Sequence, residues 1–83
     1  MTTGRSQDLP QELEMESAVI IWLRDSLEDP EITGSDNFLD VGGHSLTFAE
    51  LNEFARERFG LSLDIQIMYE KTISDACGVA ATA

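Results

Sequence analysis

Eighty-three residues form at most one small domain. A chain of this length buries only about 60–65% of the surface its unfolded form exposes, which excludes a two-lobed enzyme with a cleft between lobes. Sixteen acidic residues against five basic ones give a net charge of −11. That balance excludes the basic footprint needed for nucleic acid or an anionic membrane surface, and it suits a partner with a basic patch.

In chain order, residues 1–9 are polar and small and are expected to form a flexible lead-in, with a single domain over 10–83. Pro10 sits where a first helical turn tolerates proline, and Glu12, Glu14 and Glu16 suit the positive end of a helix dipole. Leu13, Met15, Ala18, Val19, Trp22, Leu23 and Leu27 then recur at spacings of three and four, predicting an amphipathic first helix that Pro30 ends. Its second half, residues 18–23, is apolar nearly all round, as expected where one helix touches several neighbours. Residues 29–44 hold Pro30, Gly34, Gly42 and Gly43 among turn formers and predict a long loop, pinned to the core by Phe38, Leu39 and Val41. A second helix is expected over 45–59 on the stripe Phe48, Leu51, Ala55 and Phe59, with Phe54 widening it and Gly60 as a left-handed cap. Residues 61–65 alternate apolar and polar, but a lone strand lacks a partner in this pattern, so a connector into a one-turn helix near 67–70 is expected. Thr72-Ile73-Ser74-Asp75 has the spacing of a capping box and opens a last helix bearing Ile73, Ala76, Cys77 and Ala80. The sum is an all-α bundle.

One cysteine and one histidine can make neither an internal disulfide nor a complete zinc site. Cys77 lies on the apolar face of the last helix and is expected to be inert. With no apolar run near membrane-spanning length and no apolar core in the first ten residues, a cytoplasmic protein is expected. The acidic excess is uneven: residues 8–31 hold eight acids against one base, whereas residues 51–60 balance two against two. Asp36 and Asp40 do not begin a calcium loop of the EF-hand type, because no glutamate stands at its twelfth position.

The phrase Asp36-Asn37-Phe38-Leu39-Asp40-Val41-Gly42-Gly43-His44-Ser45-Leu46 concentrates the chemistry. Two glycines allow a sharp turn, and Ser45 follows where the turn meets the second helix. A serine there serves either as an ordinary N-cap or as an exposed hydroxyl placed to receive a phosphate group. A nucleophilic hydrolase is disfavoured: residues 43–47 lack the Gly-x-Ser-x-Gly elbow, and His44, as the adjacent residue, is poorly placed as a general base.

The same eleven residues resemble the serine-containing core motif of the peptidyl and acyl carrier proteins. That motif runs acid, Asn, two large apolar residues, acid, aliphatic, then Gly-Gly-His-Ser-Leu, and Leu39 stands where a second Phe is common. The resemblance covers about residues 12–80. Phe59-Gly60-Leu61-Ser62-Leu63 is similar to the end of the family's second helix. Met68-Tyr69-Glu70-Lys71-Thr72-Ile73 is similar to its Leu-Phe-Glu-x-Pro-Thr-Val stretch, with Tyr69 for Phe and no proline before Thr72.

This resemblance implies an acyl-carrier-like four-helix bundle with a long loop between helices 1 and 2 and a short third helix. It implies a non-catalytic chain carrying 4′-phosphopantetheine on Ser45, flanked by Gly42, Gly43, His44 and Leu46. A phosphopantetheinyl transferase would supply the group from coenzyme A. A loading enzyme (adenylating or acyltransferase) and downstream tailoring or condensing enzymes would be the other partners of a monomeric carrier. Leu46, Ala49 and Met68 are the expected apolar partner contacts, with core packing the competing role for Met68. Thr47 and Asn52 stand where the family is usually apolar and are expected to reshape the partner-facing surface. His44 matches peptidyl and many polyketide-associated carriers, whereas the strong negative charge is closer to fatty-acid-type carriers. A free-standing carrier of natural-product biosynthesis is the expectation. A domain excised from a modular synthetase, a fatty-acid-type carrier and a non-covalent acidic adaptor are the alternatives.

Overall fold

The computed structural model describes residues 11–82, with side chains from residue 14 onward. The expected lead-in over 1–9, Pro10 and the Leu13 side chain lie outside the described residues. Four helices and one strand pair follow in order: α1 (Gln11–Ser26), α2 (Ser45–Phe59), β1 (Leu61–Ser62), α3 (Ile65–Glu70), α4 (Ile73–Gly78) and β2 (Ala81–Thr82). The expected helical bundle with a long first loop and a short third helix is the observed architecture.

The α1 stripe buries Met15, Val19 and Leu23, spaced by four, while Trp22 is half-buried. The all-round apolar segment is not buried all round: Ile21 is 63% exposed. α1 stops at Ser26, because Glu28 adopts a left-handed conformation (φ 54°) and the Asp29 N–H closes back on the Arg24 carbonyl at 3.0 Å. Leu27 therefore lies just past the helix, with Pro30 beyond it.

The long loop is folded onto the core by Ile32 and Phe38, both fully buried. Leu39, expected to pin it, is 44% exposed, and Val41 is half-buried. The alternation of facing follows from the turn at 37–43, which sends Phe38 inward and its neighbour outward. Arg24 Nε donates to the Ile32 carbonyl at 2.8 Å, and the Ser74 N–H donates to the Gly34 carbonyl at 2.9 Å, so the loop is tied to both α1 and α4.

α2 has the expected bounds, and Gly60 caps it in the left-handed conformation (φ 69°) with its N–H on the last-turn carbonyls. The connector is a correction. Leu61 and Ser62 do form a strand, because α4 ends at Gly78 rather than reaching Ala80, and the returning chain pairs Thr82 with Leu61 and Ala81 with Ser62. The missing partner is thus the C-terminal segment, far along the chain and beyond two further helices. α3 begins two residues earlier than expected, capped by the Asp64 carboxylate accepting from Gln66 and Ile67 N–H. The Thr72–Asp75 capping box is present in both directions.

Candidate functional site

The site is built on the turn that delivers α2. Asn37 organises it: its Oδ1 accepts from Leu39 N–H at 2.9 Å and Asp40 N–H at 3.1 Å. Its Nδ2 donates to the carbonyls of Tyr69 at 2.9 Å and Lys71 at 2.8 Å, across to the α3–α4 junction. One amide thus fixes both the turn and its seat on the bundle. The Gly43 N–H then closes on the Phe38 carbonyl at 3.0 Å. The glycines have different reasons to be there. Gly42 holds φ +104°, a conformation side chains resist, whereas a Cβ on Gly43 would sit within 2.6 Å of the Phe38 ring.

Beneath this turn lies an aromatic cluster. Phe38 stacks on Tyr69 with centroids 5.9 Å apart, and Phe48 meets both edge-on at 6.3 and 6.4 Å. Because Phe48 lies one turn after Ser45, the cluster anchors the start of α2 to the loop before it and to α3 after it.

Ser45 is the first helical residue, not the cap. His44 occupies the cap position in extended backbone without a side-chain cap hydrogen bond to the first-turn amides, and the first turn carries no acid. The first α2 amides are therefore left to an incoming acceptor, at the positive end of the dipole. Ser45 is exposed, and its hydroxyl has no partner among the described residues. The N-cap role considered from sequence is thus taken by His44, and the phosphate-acceptor role fits the geometry. His44 does not serve Ser45 as a base: its Nε2 shares a hydrogen bond of 3.2 Å with Thr47 Oγ1.

The expected partner contacts divide. Leu46 is 62% exposed and Ala49 is exposed beside it, whereas Met68 is fully buried in the core. The α3 residue that shows an apolar surface is Ile65, at 46% exposure. Thr47 and Asn52 also differ from expectation. Thr47 is buried against His44, and Asn52 Oδ1 accepts from Leu63 N–H at 2.7 Å, holding the connector after β1. Neither reshapes an outer face. Sequence reasoning missed the central role of Asn37 and Tyr69. The Asn37 signal was present in its turn-forming chemistry next to a buried aromatic, while its reach across 32 and 34 residues was not.

Cys77 is fully buried, and burial first, then the negative charge of Glu16, pushes its thiol up to about 12. It stays protonated and out of nucleophilic chemistry, as expected. No described helix is long and apolar enough to cross a membrane.

Comparison with known proteins places the chain in a family. The family model described as the phosphopantetheine attachment site matches residues 11–79. The chain is 33% identical over 70 residues to phosphinothricin tripeptide synthetase PhsB of Streptomyces viridochromogenes, covering 84% of this chain and 6% of that protein. It is 32% identical over an 85-position alignment to a component of the mycosubtilin synthase of Bacillus subtilis, covering 98% of this chain and 3% of that protein. The chain therefore spans only a small fraction of these relatives' length. No solved structure matches it. Domains of the matched family are the site of covalently attached 4′-phosphopantetheine, a group whose phosphate suits an unpartnered serine hydroxyl at an uncapped helix start. By its sequence match and by the geometry around the turn, the chain belongs to the phosphopantetheine-binding carrier family.

Proposed function

We propose that Ser45 is the attachment residue and that the chain presents an aminoacyl or acyl group, held as a thioester on the arm, to successive enzymes of natural-product assembly. The observation that carries this reading is the exposed, unpartnered Ser45 hydroxyl at the first position of α2, delivered by Gly42 and Gly43. In the loading step the Ser45 oxygen attacks the phosphorus nearer the pantetheine in coenzyme A. The pyrophosphate bond breaks, adenosine 3′,5′-bisphosphate leaves, and the hydroxyl proton passes to a base of a phosphopantetheinyl transferase.

Two relatives whose names denote a tripeptide synthetase and mycosubtilin synthase support an aminoacyl cargo and a nonribosomal-peptide setting over a polyketide or fatty-acid one. The partners are then the transferase, an adenylating or acyl-transferring loading enzyme, and condensing or tailoring enzymes that meet Leu46 and Ala49. We assign the carrier unit to residues 10–83, acting as a monomer in the cytoplasm, where coenzyme A is available. The net charge of −11 opposes self-association. The chemistry is the same for a free-standing carrier and for a carrier domain of a modular synthetase.

Incubation with coenzyme A and a promiscuous transferase tests the reading. Intact-mass measurement should show a gain of about 340 Da, the size of the added arm. The gain should map to Ser45 and vanish in Ser45→Ala. No gain, or a gain that persists in that variant, overturns the assignment.

A further inference from the structure

The most exposed large apolar side chain among the described residues lies away from the proposed attachment end. Ile21, 63% exposed, separates two hollows on α1. One, of about 410 Å³, is lined by Ala18, Ile21, Trp22, Asp25, Phe54 and Arg58. The other, of about 520 Å³, is lined by Ile21, Arg24, Asp25, Glu28 and Pro30. The floor of the first is aromatic: Trp22 stacks on Phe54 with centroids 6.1 Å apart, and Phe54 meets Phe59 edge-on at 6.5 Å. Phe54 lies nine residues beyond Ser45, about 14 Å along the helix at 1.5 Å per residue, so this face is spatially separate from the turn.

The charges that line the two hollows are Asp25 and Glu28 against Arg24 and Arg58, and Asp29 and Glu31 adjoin them in the chain. Arg24 Nε is committed to the Ile32 carbonyl, and the Arg58 guanidinium lies over the Phe54 and Phe59 rings at 6.0 and 5.8 Å. Neither Asp25 nor Glu28 has an ion-pair partner among the described residues. An apolar knob between hollows, bordered by unpaired carboxylates, is complementary to apolar side chains flanked by cations. A second copy of this chain is a poor occupant, because it would bring the same negative charge onto the rim.

We propose that the Ile21 face, between α1 and the C-terminal half of α2, is a second protein-docking surface. It receives a basic amphipathic helix of a partner protein, independently of the Ser45 end. A carrier with such a surface can stay attached to one partner while the Leu46 face exchanges others.

The test uses the full chain, with Trp22, the only tryptophan, as a fluorescent reporter on the floor of the groove. The probes are synthetic amphipathic helices of Leu/Lys, Leu/Ser and Leu/Glu composition. The Leu/Lys helix should perturb Trp22 emission and the amide resonances of Ala18, Ile21, Asp25 and Phe54, with affinity falling as salt rises. Ile21→Ser should weaken it about tenfold, the effect of truncating an interface anchor. The pair Asp25→Lys and Glu28→Lys should weaken it as well. Leu46→Ser should not, and transferase loading of Ser45 should be unchanged in Ile21→Ser, which keeps this result separate from the attachment reading. Equal binding of the Leu/Ser helix, resonance changes centred on Leu46 and Ala49, or full affinity in Ile21→Ser overturns the proposal. A dimer in sedimentation that Ile21→Ser dissolves assigns the face to self-association instead. Groove resonances that shift when residues 1–9 are removed assign it to the chain's own N-terminal segment.

Discussion

A Cβ placed on Gly43 would lie 2.4 Å from Cζ of Phe38, inside any real carbon–carbon contact. Phe38 is fully buried and is held in turn by Tyr69 and Phe48. The ring cannot yield without disturbing the cluster on which α2 starts. The glycine two residues before the proposed attachment serine is thus required by packing.

The two glycines should therefore fail differently. Gly42→Ala meets open space but must hold φ +104°, a backbone penalty of about 1–2 kcal/mol. Gly43→Ala must displace the Phe38 ring, an overpacking cost of about 1–3 kcal/mol that also moves the start of α2. Chemical denaturation should show both losses. Transferase loading should fall more in Gly43→Ala than in Gly42→Ala, and equal loading in the two would contradict the packing argument.

Asn37 makes four hydrogen bonds with one amide, two to the turn and two to the α3–α4 junction. Asn37→Ala should destabilise the fold by about 2–3 kcal/mol, since it leaves several peptide groups without their partner. Asn37→Asp is the sharper variant. It keeps the acceptor but turns a carboxylate oxygen toward the Tyr69 and Lys71 carbonyls, so it should be at least as damaging despite its near-identical shape. Urea midpoints of the two variants decide this, and a mild Asn37→Asp would show that the junction contacts contribute little.

Leu46 and Met68 were both expected as partner contacts, with core packing the competing role for Met68, and the structure separates them, one 62% exposed and the other fully buried. Met68→Ala should cost about 2–5 kcal/mol in stability, as buried large-to-small substitutions do. Leu46→Ala should leave the melting temperature nearly unchanged and instead weaken productive encounter with the transferase or a loading enzyme, seen as a raised KM. A stability loss in Leu46→Ala comparable to that of Met68→Ala would contradict the division.

What was legible in the sequence follows from the range of each interaction. The bounds of α2, the left-handed Gly60 and the Thr72–Asp75 box were readable because each is decided within a few residues. The eleven-residue motif located the turn and Ser45 for the same reason. The β1–β2 pair was not readable, since its partner strands are brought together only after α3 and α4 have packed. The burial of Met68 was likewise decided by tertiary packing and not by its own spacing. Ile21 is the converse: an apolar residue in an apolar run, left outside because α1 has neighbours on only part of its circumference.

Cys77 gives the protein a measurable pH dependence. Its thiol is held near 12 in the folded state against an ordinary value of 9.0, through burial first and the Glu16 charge second. A group raised in the folded state contributes fully below its unfolded value and loses that contribution as pH rises toward its folded value. Stability should therefore be unaffected by this group below about pH 9 and decline from there toward about pH 12, by at most about 1.4 kcal/mol per pH unit. Cys77→Ala should be less stable at neutral pH because it opens a cavity, yet it should lack this alkaline decline, which isolates the thiol from other groups titrating in the same range. Denaturant midpoints for both proteins across that range test the sign. Iodoacetamide should label Cys77 only after unfolding. Under the proposed function the same burial has a role: an accessible thiolate on the chain would exchange with a thioester cargo, and the core placement of Cys77 keeps it from doing so.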